Sequence, residues 1–257
     1  MISRLTAITL NTFREAIRDR VLYNLILFVL LLVASAPLFG QISIGMERLI
    51  LVNVGLSSIS LFGVIIAIFI GIGLVSKEIE KKTLYTILSR PVRRWEFIVG
   101  KYLGLIMTLV VNTTLMTAGF YIALTFTNGL HKTDALLLVA IYFTVLQFLI
   151  VTALTVLFST FSSPIFSAIF AFALFVIGTF AEDLKNFAAI SKGAAKLLAT
   201  AAAYLMPNFA SLNVIAQTAH DQGIGGRLIL FNTLYAMLYS ATAVLAAVLI
   251  FERRNLK

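Results

Sequence analysis

The sequence predicts an all-α integral membrane protein with six spans, and three observations predict it. The 257 residues are 60% hydrophobic and only 12% charged, with a mean hydropathy of +1.01; a soluble domain runs at about 45–50% apolar and about 25% charged. Apolar stretches of about 20 residues, the length a helix needs to cross a bilayer, occur at 21–39, 50–75, 97–126, 135–158, 164–181 and 228–251. None of them holds an acidic residue away from its ends. A chain this apolar lacks the polar surface to cover a water-facing globule. With no long-period repeat and no low-complexity linker, residues 1–257 read as a single membrane domain.

Residues 1–20 read as an amphipathic surface helix. At 100° per residue, Ile2, Leu5, Leu10, Phe13, Ala16 and Ile17 share one side, and Arg4, Asn11, Arg14, Glu15 and Arg18 share the other. Such a helix lies in the membrane surface and leads into the first span. Ala34-Ser35-Ala36 resembles a signal-cleavage site, but Pro37 follows it directly and the charged segment before the span is 20 residues long. The first span is therefore expected to be retained. The second carries Gly63, Ala67 and Gly71 at four-residue intervals, with Gly55 eight residues before Gly63. Small residues so spaced let another helix approach closely, either inside the bundle or at a dimer interface.

Segment 76–95 is the most polar part of the chain. Lys77 to Lys101 holds seven basic and three acidic residues. The second span is expected to continue as a helix over 76–89, with Glu78 and Lys82 at the favourable four-residue spacing. Ile79, Thr83 and Ile87 form an apolar edge beside Leu84 and Leu88. Pro91 disfavours helix at Arg90, so the chain turns there, and Arg93, Arg94 and Trp95 anchor the next helix at headgroup level. A short amphipathic elbow held between two spans would move both when pushed. Segment 182–227 reads as a short interfacial or re-entrant helix over 187–205, with Lys192 and Lys196 four apart, followed by a loop marked by Pro207, Gly223, Gly225 and Gly226.

Orientation follows from Lys and Arg. With both termini inside, segments 1–20, 76–101, 159–164 and 252–257 hold 4, 7, 0 and 3 basic residues, fourteen of the twenty. The outer six are Arg48, Lys132, Lys185, Lys192, Lys196 and Arg227. The net charge of +9 thus reports topology rather than a nucleic-acid partner.

Enzyme chemistry finds no constellation. Cysteine is absent, which removes disulfides and thiolate sites. No phosphate-binding G-x-x-x-x-G-K-[ST] loop occurs, since Trp95 stands where Gly100-Lys101 would need its first glycine. His131 beside Asp134 and His220 beside Asp221 read as solvated loop residues rather than metal ligands. Met107 and Met116 read as lipid-facing or packing residues. Within the spans the polar residues include Asn53, Thr108, Asn112, Thr113, Gln147 and Asn232. Proton- and ion-driven transporters carry ionisable groups there, so such a mechanism is disfavoured. Asn53, Asn112 and Gln147 are candidates to line a substrate path, with interhelical hydrogen bonds the plainer role.

Around the elbow the chain resembles the permeases of type-two ABC exporters, which carry E-x-E-x-G-T-L, then L-L, then x-P-V-S-R, then G-K. Here Glu78, Glu80, Thr83, Leu84, Ile87, Leu88, Pro91, Val92, Arg93 or Arg94, Gly100 and Lys101 follow in matching order. Lys82 stands where the family has glycine, which makes the helix more continuous. The surface helix, six spans, long last outer loop and basic end at Glu252-Arg253-Arg254 are similar too. The resemblance implies a permease that binds no cofactor itself and pairs with a second permease copy and a cytoplasmic ATPase dimer carrying ATP and Mg. It implies that Glu78, Glu80, Lys82, Thr83, Leu84, Ile87, Leu88, Arg90 and Pro91 form the coupling surface. It also implies a bacterial or archaeal plasma (inner) membrane, with lipid as a further partner. The alternatives are an energy-coupled anchor or mechanotransmitter serving a periplasmic maturation or motility partner, and an elbow that is a topology signal alone.

Two outcomes are expected. The protein purified free of other subunits hydrolyses no ATP, measured as phosphate release. Single cysteines at Ser89 and Asn255 stay shielded from an impermeant thiol reagent in intact cells while one at Lys192 labels; labelling at Ser89 would reverse the orientation.

Overall fold

The computed structural model describes residues 2–18, 46–80, 93–127 and 131–253, with Leu27, Phe28, Leu31, Ser35 and Gly129. The described residues contain helices and no strand. In order they are α1 (Ile2–Ala16), α2 (Glu47–Glu80), α3 (Arg94–Thr127), α4 (Ala135–Phe161), α5 (Pro164–Thr179), α6 (Ala181–Ile190), α7 (Gly193–Leu205), α8 (Ile215–Ala219) and α9 (Gly226–Arg253), with 3₁₀ turns at Lys132–Asp134 and Ala210–Leu212. Most of the expected first span, and residues 81–92 of the elbow, lie outside the described residues. Phe28 is buried there, edge-on to Phe62 of α2 at 5.6 Å between ring centres.

Four of these helices are long and apolar enough to cross a membrane: Glu47–Gly73, Arg94–Phe126, Ala135–Phe161 and Gly226–Arg253. Two bent pairs bring the number to six if each is one span, α5 with α6 at 59° and Gly193–Leu205 with Ala210–Ala219 at 43°. At 34 residues α2 is about 51 Å long, well beyond the roughly 30 Å of hydrocarbon it has to cross. The 16 residues of α5 reach only about 24 Å, so the apolar run that begins at Pro164 bends at Phe180 and continues as α6.

Local chemistry sets the helix starts. Pro164 opens α5 behind an extended Ser163, where its fixed φ suits the first turn and no intrahelical N–H is lost. At the start of α3, Glu96 accepts the Arg93 N–H at 3.0 Å, closing a donor the helix leaves orphaned. Gly129, at φ +74°, turns the chain between α3 and α4 where other residues would be strained.

The core is built around α4, which packs against α2, α3, α5 and α9. Where α2 meets it, side chains are missing: a Cβ on Gly63 would stand 1.9 Å from Phe148, and one on Gly71 would stand 2.8 Å from Thr155. Ala67 between them is fully buried, and Gly55 makes the same space for Phe120 of α3. Lipid gives no hydrophobic drive between helices, so this contact is what holds them. The threonines and serine of α4 at 144, 155 and 159 donate to carbonyls of their own helix, which satisfies their hydroxyls without water. Outward, Leu230, Phe231, Met237, Leu238, Leu245 and Leu249 of α9 are more than half exposed, the face a bilayer would cover.

Segment 182–227 is more ordered than one helix and a loop. The 187–205 stretch divides at Ser191 and Lys192 into α6 and α7, which pack on each other, and α8 follows. The connecting chain is pinned where Phe209 N–H donates to the Gly178 carbonyl at 3.0 Å and Asn208 N–H donates to the Tyr235 hydroxyl at 2.8 Å.

Gly63→Ala is expected to cost about 1–3 kcal/mol, because Phe148 is buried and has to give way. Thermal unfolding in detergent reads it, and Phe148→Leu in the same chain should recover part of the loss. An unchanged midpoint in the single variant would show that α2 and α4 do not touch there.

Candidate functional site

The N-terminal third of α3 follows the expected elbow in the chain, and three separate interactions fasten it. The first is a close approach. Cβ atoms on Gly100 and Gly104 would lie 2.6 Å from Ile8 and from Thr12 of α1. The backbone carbonyl of Thr9 stands 2.8 Å from the Gly104 position, so α1 rests on bare α3 backbone. The second is an ion pair. Lys101 is 2% exposed, its Nζ 3.4 Å from Glu15 of α1 and 5.7 Å from the centre of the Phe97 ring. A buried ammonium persists only with such partners. The third is a cap: Arg94 donates to the carbonyls of Phe251 at 3.2 Å and Glu252 at 2.8 Å. These are orphan acceptors at the negative end of α9, and Phe97 stacks on Phe251 beside them.

This geometry changes the reading of α1. Its contact face runs through Leu5, Ile8, Thr12 and Ala16 and is turned onto α3, with Thr12 and Ala16 fully buried. Leu10, expected on the apolar face, is 45% exposed, because the face is selected by the two glycines rather than by hydrophobicity alone. Arg94, expected as a headgroup anchor, instead caps α9. The four-residue spacing of Gly100 and Gly104 was visible in the sequence. The partner it receives was not.

Of the expected coupling residues, Glu78 and Glu80 belong to the end of α2, with side chains outside the described set. Lys82, Thr83, Leu84, Ile87, Leu88, Arg90 and Pro91 lie wholly outside it. The residues proposed for a pathway do not form one lining. Gln147 is buried and its Nε2 donates to the Ser60 hydroxyl of α2 at 3.1 Å. Asn112 is buried, and its side-chain nitrogen has no hydrogen-bond partner among the described residues. Asn53 donates to the Leu49 carbonyl at 2.9 Å and lines a recess of about 290 Å³ with Val54, Ser57, Ser58 and Leu61. Met116 is buried and Met107 is 40% exposed.

The opposite end of the bundle has its own fastening, which residue spacing did not reveal. Arg48 at the start of α2 pairs with Asp134 and meets the His131 ring. Asp134 also accepts the His131 N–H at 2.7 Å, and its carbonyl accepts the Tyr121 hydroxyl at 2.7 Å. Asp134 is therefore a buried junction of three helices, not a solvated loop residue. Among the described residues no three His, Cys, Asp or Glu side chains converge as a metal site would need.

No curated protein matches this chain. The family described as ABC-2 family transporter protein matches residues 6–254, nearly the whole length and every helix from α1 to α9. An all-helical bundle with several membrane-length helices, matched over nearly its whole length, assigns it: the chain belongs to the ABC-2 transporter family and is a permease subunit, the membrane part of an ABC transporter and not itself its catalyst.

Proposed function

We propose that this permease exports a substrate with ATP hydrolysed by a separate cytoplasmic ATPase, and that the working unit is two permeases and two ATPases. ATP and Mg belong to the partner; this chain binds no cofactor. The protein sits in a bacterial or archaeal plasma membrane with both termini cytoplasmic, as its Lys and Arg distribution favours. The elbow at 76–95 receives the ATPase stroke through Glu78, Glu80, Lys82, Thr83, Leu84, Ile87, Leu88, Arg90 and Pro91.

The observation that carries this reading is the fastening at the base of α3. A push arriving at Arg93 does not meet a lone helix. It meets α3 tied to α1 through Gly100, Gly104 and Lys101, and to α9 through Arg94. At this end the three form one block, so a push is shared among them and reaches α4 through its packing with α9, the kind of displacement that transport needs. Asn53, on the recessed face of α2, is the pathway candidate most open to a second permease copy. Asn112 and Gln147 lie deeper and would be reached only when the block shifts.

The test uses Glu78→Ala and Leu88→Asp. An exposed helix pair contributes only about 0.3–0.5 kcal/mol, so protein levels should stay normal. A charge pair buried at a docking surface loses about 2–5 kcal/mol on truncation, so association with the co-expressed ATPase and stimulated turnover should fall at least tenfold. Glu47→Ala at the far end of α2 serves as the control. Full association and transport in both elbow variants would sink the proposal.

A further inference from the structure

The hairpin of α6 and α7 presents two cations to one cleft. Lys185 and Ala188 on one wall, and Lys196, Thr200 and Ala203 on the other, line a recess of about 240 Å³. The spacing explains the walls: positions 196, 200 and 203 share one face of α7, and 185 and 188 share one face of α6. Ala188, Ala199 and Ala203 are buried between the helices, so the floor is small and leaves room above it. Neither lysine has a carboxylate within ion-pair distance among the described residues. Glu182 and Asp183 occupy the first turn of α6, where the helix dipole favours them.

Two ammonium groups around one small recess repel, and an anion between them removes the repulsion. The surroundings specify what else that anion carries. Ile190 is 80% exposed, Leu197 72%, Leu198 69% and Leu205 75%. An apolar surface of that extent marks a lipid or ligand contact. The sequence adds weight. In the orientation favoured above only six of twenty basic residues are outside, and three of them, Lys185, Lys192 and Lys196, fall on this hairpin.

We propose that the α6–α7 cleft binds the phosphate headgroup of an anionic lipid, with Lys185 and Lys196 holding its oxygens, Thr200 offering a hydroxyl and the acyl chains lying along the apolar faces. The site does not depend on the coupling reading, and its test needs no ATPase. Protein reconstituted in nanodiscs of equal parts phosphatidylglycerol and phosphatidylcholine is released, and its retained lipid is counted by native mass spectrometry. Wild type should keep phosphatidylglycerol over phosphatidylcholine by about thirtyfold, the scale of two cations near an anionic headgroup. Lys185→Gln/Lys196→Gln should lose the preference, and Lys192→Gln, which does not line the cleft, should keep it. In the unmutated protein, phosphatidylglycerol should protect Lys185 and Lys196 from acylation and leave Lys192 reactive. A wild-type preference for phosphatidylglycerol kept in the double variant, or uniform protection of all three lysines, overturns the site. Displacement of the lipid by submillimolar inorganic phosphate overturns the lipid in favour of a soluble anion.

Discussion

The bundle depends on one contact, the seating of Phe148 and Thr155 of α4 against the bare backbone of Gly63 and Gly71 on α2. Lipid tails are as apolar as the side chains they touch, so helices gain nothing by merely hiding hydrophobic groups from one another. They gain by approaching more closely than lipid can, and glycine is what permits that. With α2 drawn in, α4 is enclosed by α2, α3, α5 and α9. The hydroxyls of Thr144, Thr155 and Ser159 turn back on their own helix, so these three polar groups force no gap. Gly100 and Gly104 repeat the device at the base of α3, this time for α1.

Charge is distributed to match. Among the described residues the two ion pairs sit at opposite ends, Arg48 with Asp134 and Lys101 with Glu15, and the middle of the bundle holds neutral amides and hydroxyls. A charge at mid-membrane is costly unless a pathway needs it; at the ends, one partner or the solvent can compensate. Lys101 is nearly as buried as the core but lies about two turns from the cytoplasmic end expected for α3. The two pairs therefore act as fasteners, one holding α2 to the α3–α4 junction and the other holding α1 to α3.

On the proposed reading, that division of labour is what a transport subunit driven by a separate ATPase requires. It needs a place where force enters, rigid elements that carry it, and a softer surface that changes shape. On the proposed reading, the elbow is the first and the α1–α3–α9 block is the second. The recessed Asn53 face of α2 is the third, where Asn53 and its neighbours do not fill the space.

The sequence by itself determined the class of protein and, among the described residues, where its long helices run. These follow from composition and run length, since twenty apolar residues in lipid have helix as their one way to satisfy every backbone group. The small-residue stripe at Gly63, Ala67 and Gly71 was legible for the same reason, being a local pattern. The tertiary structure alone decided which surfaces meet. That α1 meets α3 through Ile8 and Thr12, leaving Leu10 exposed, depends on two glycines nearly a hundred residues away. Arg94 as the cap of α9, Glu15 as the partner of Lys101 and Arg48 as the partner of Asp134 all join positions more than eighty residues apart. The division of 182–227 into three helices was equally hidden, because alanine-rich sequence forms helix readily and does not say where it breaks. In each case the missing fact is a partner, and close approach and charge pairing are properties of two segments at once.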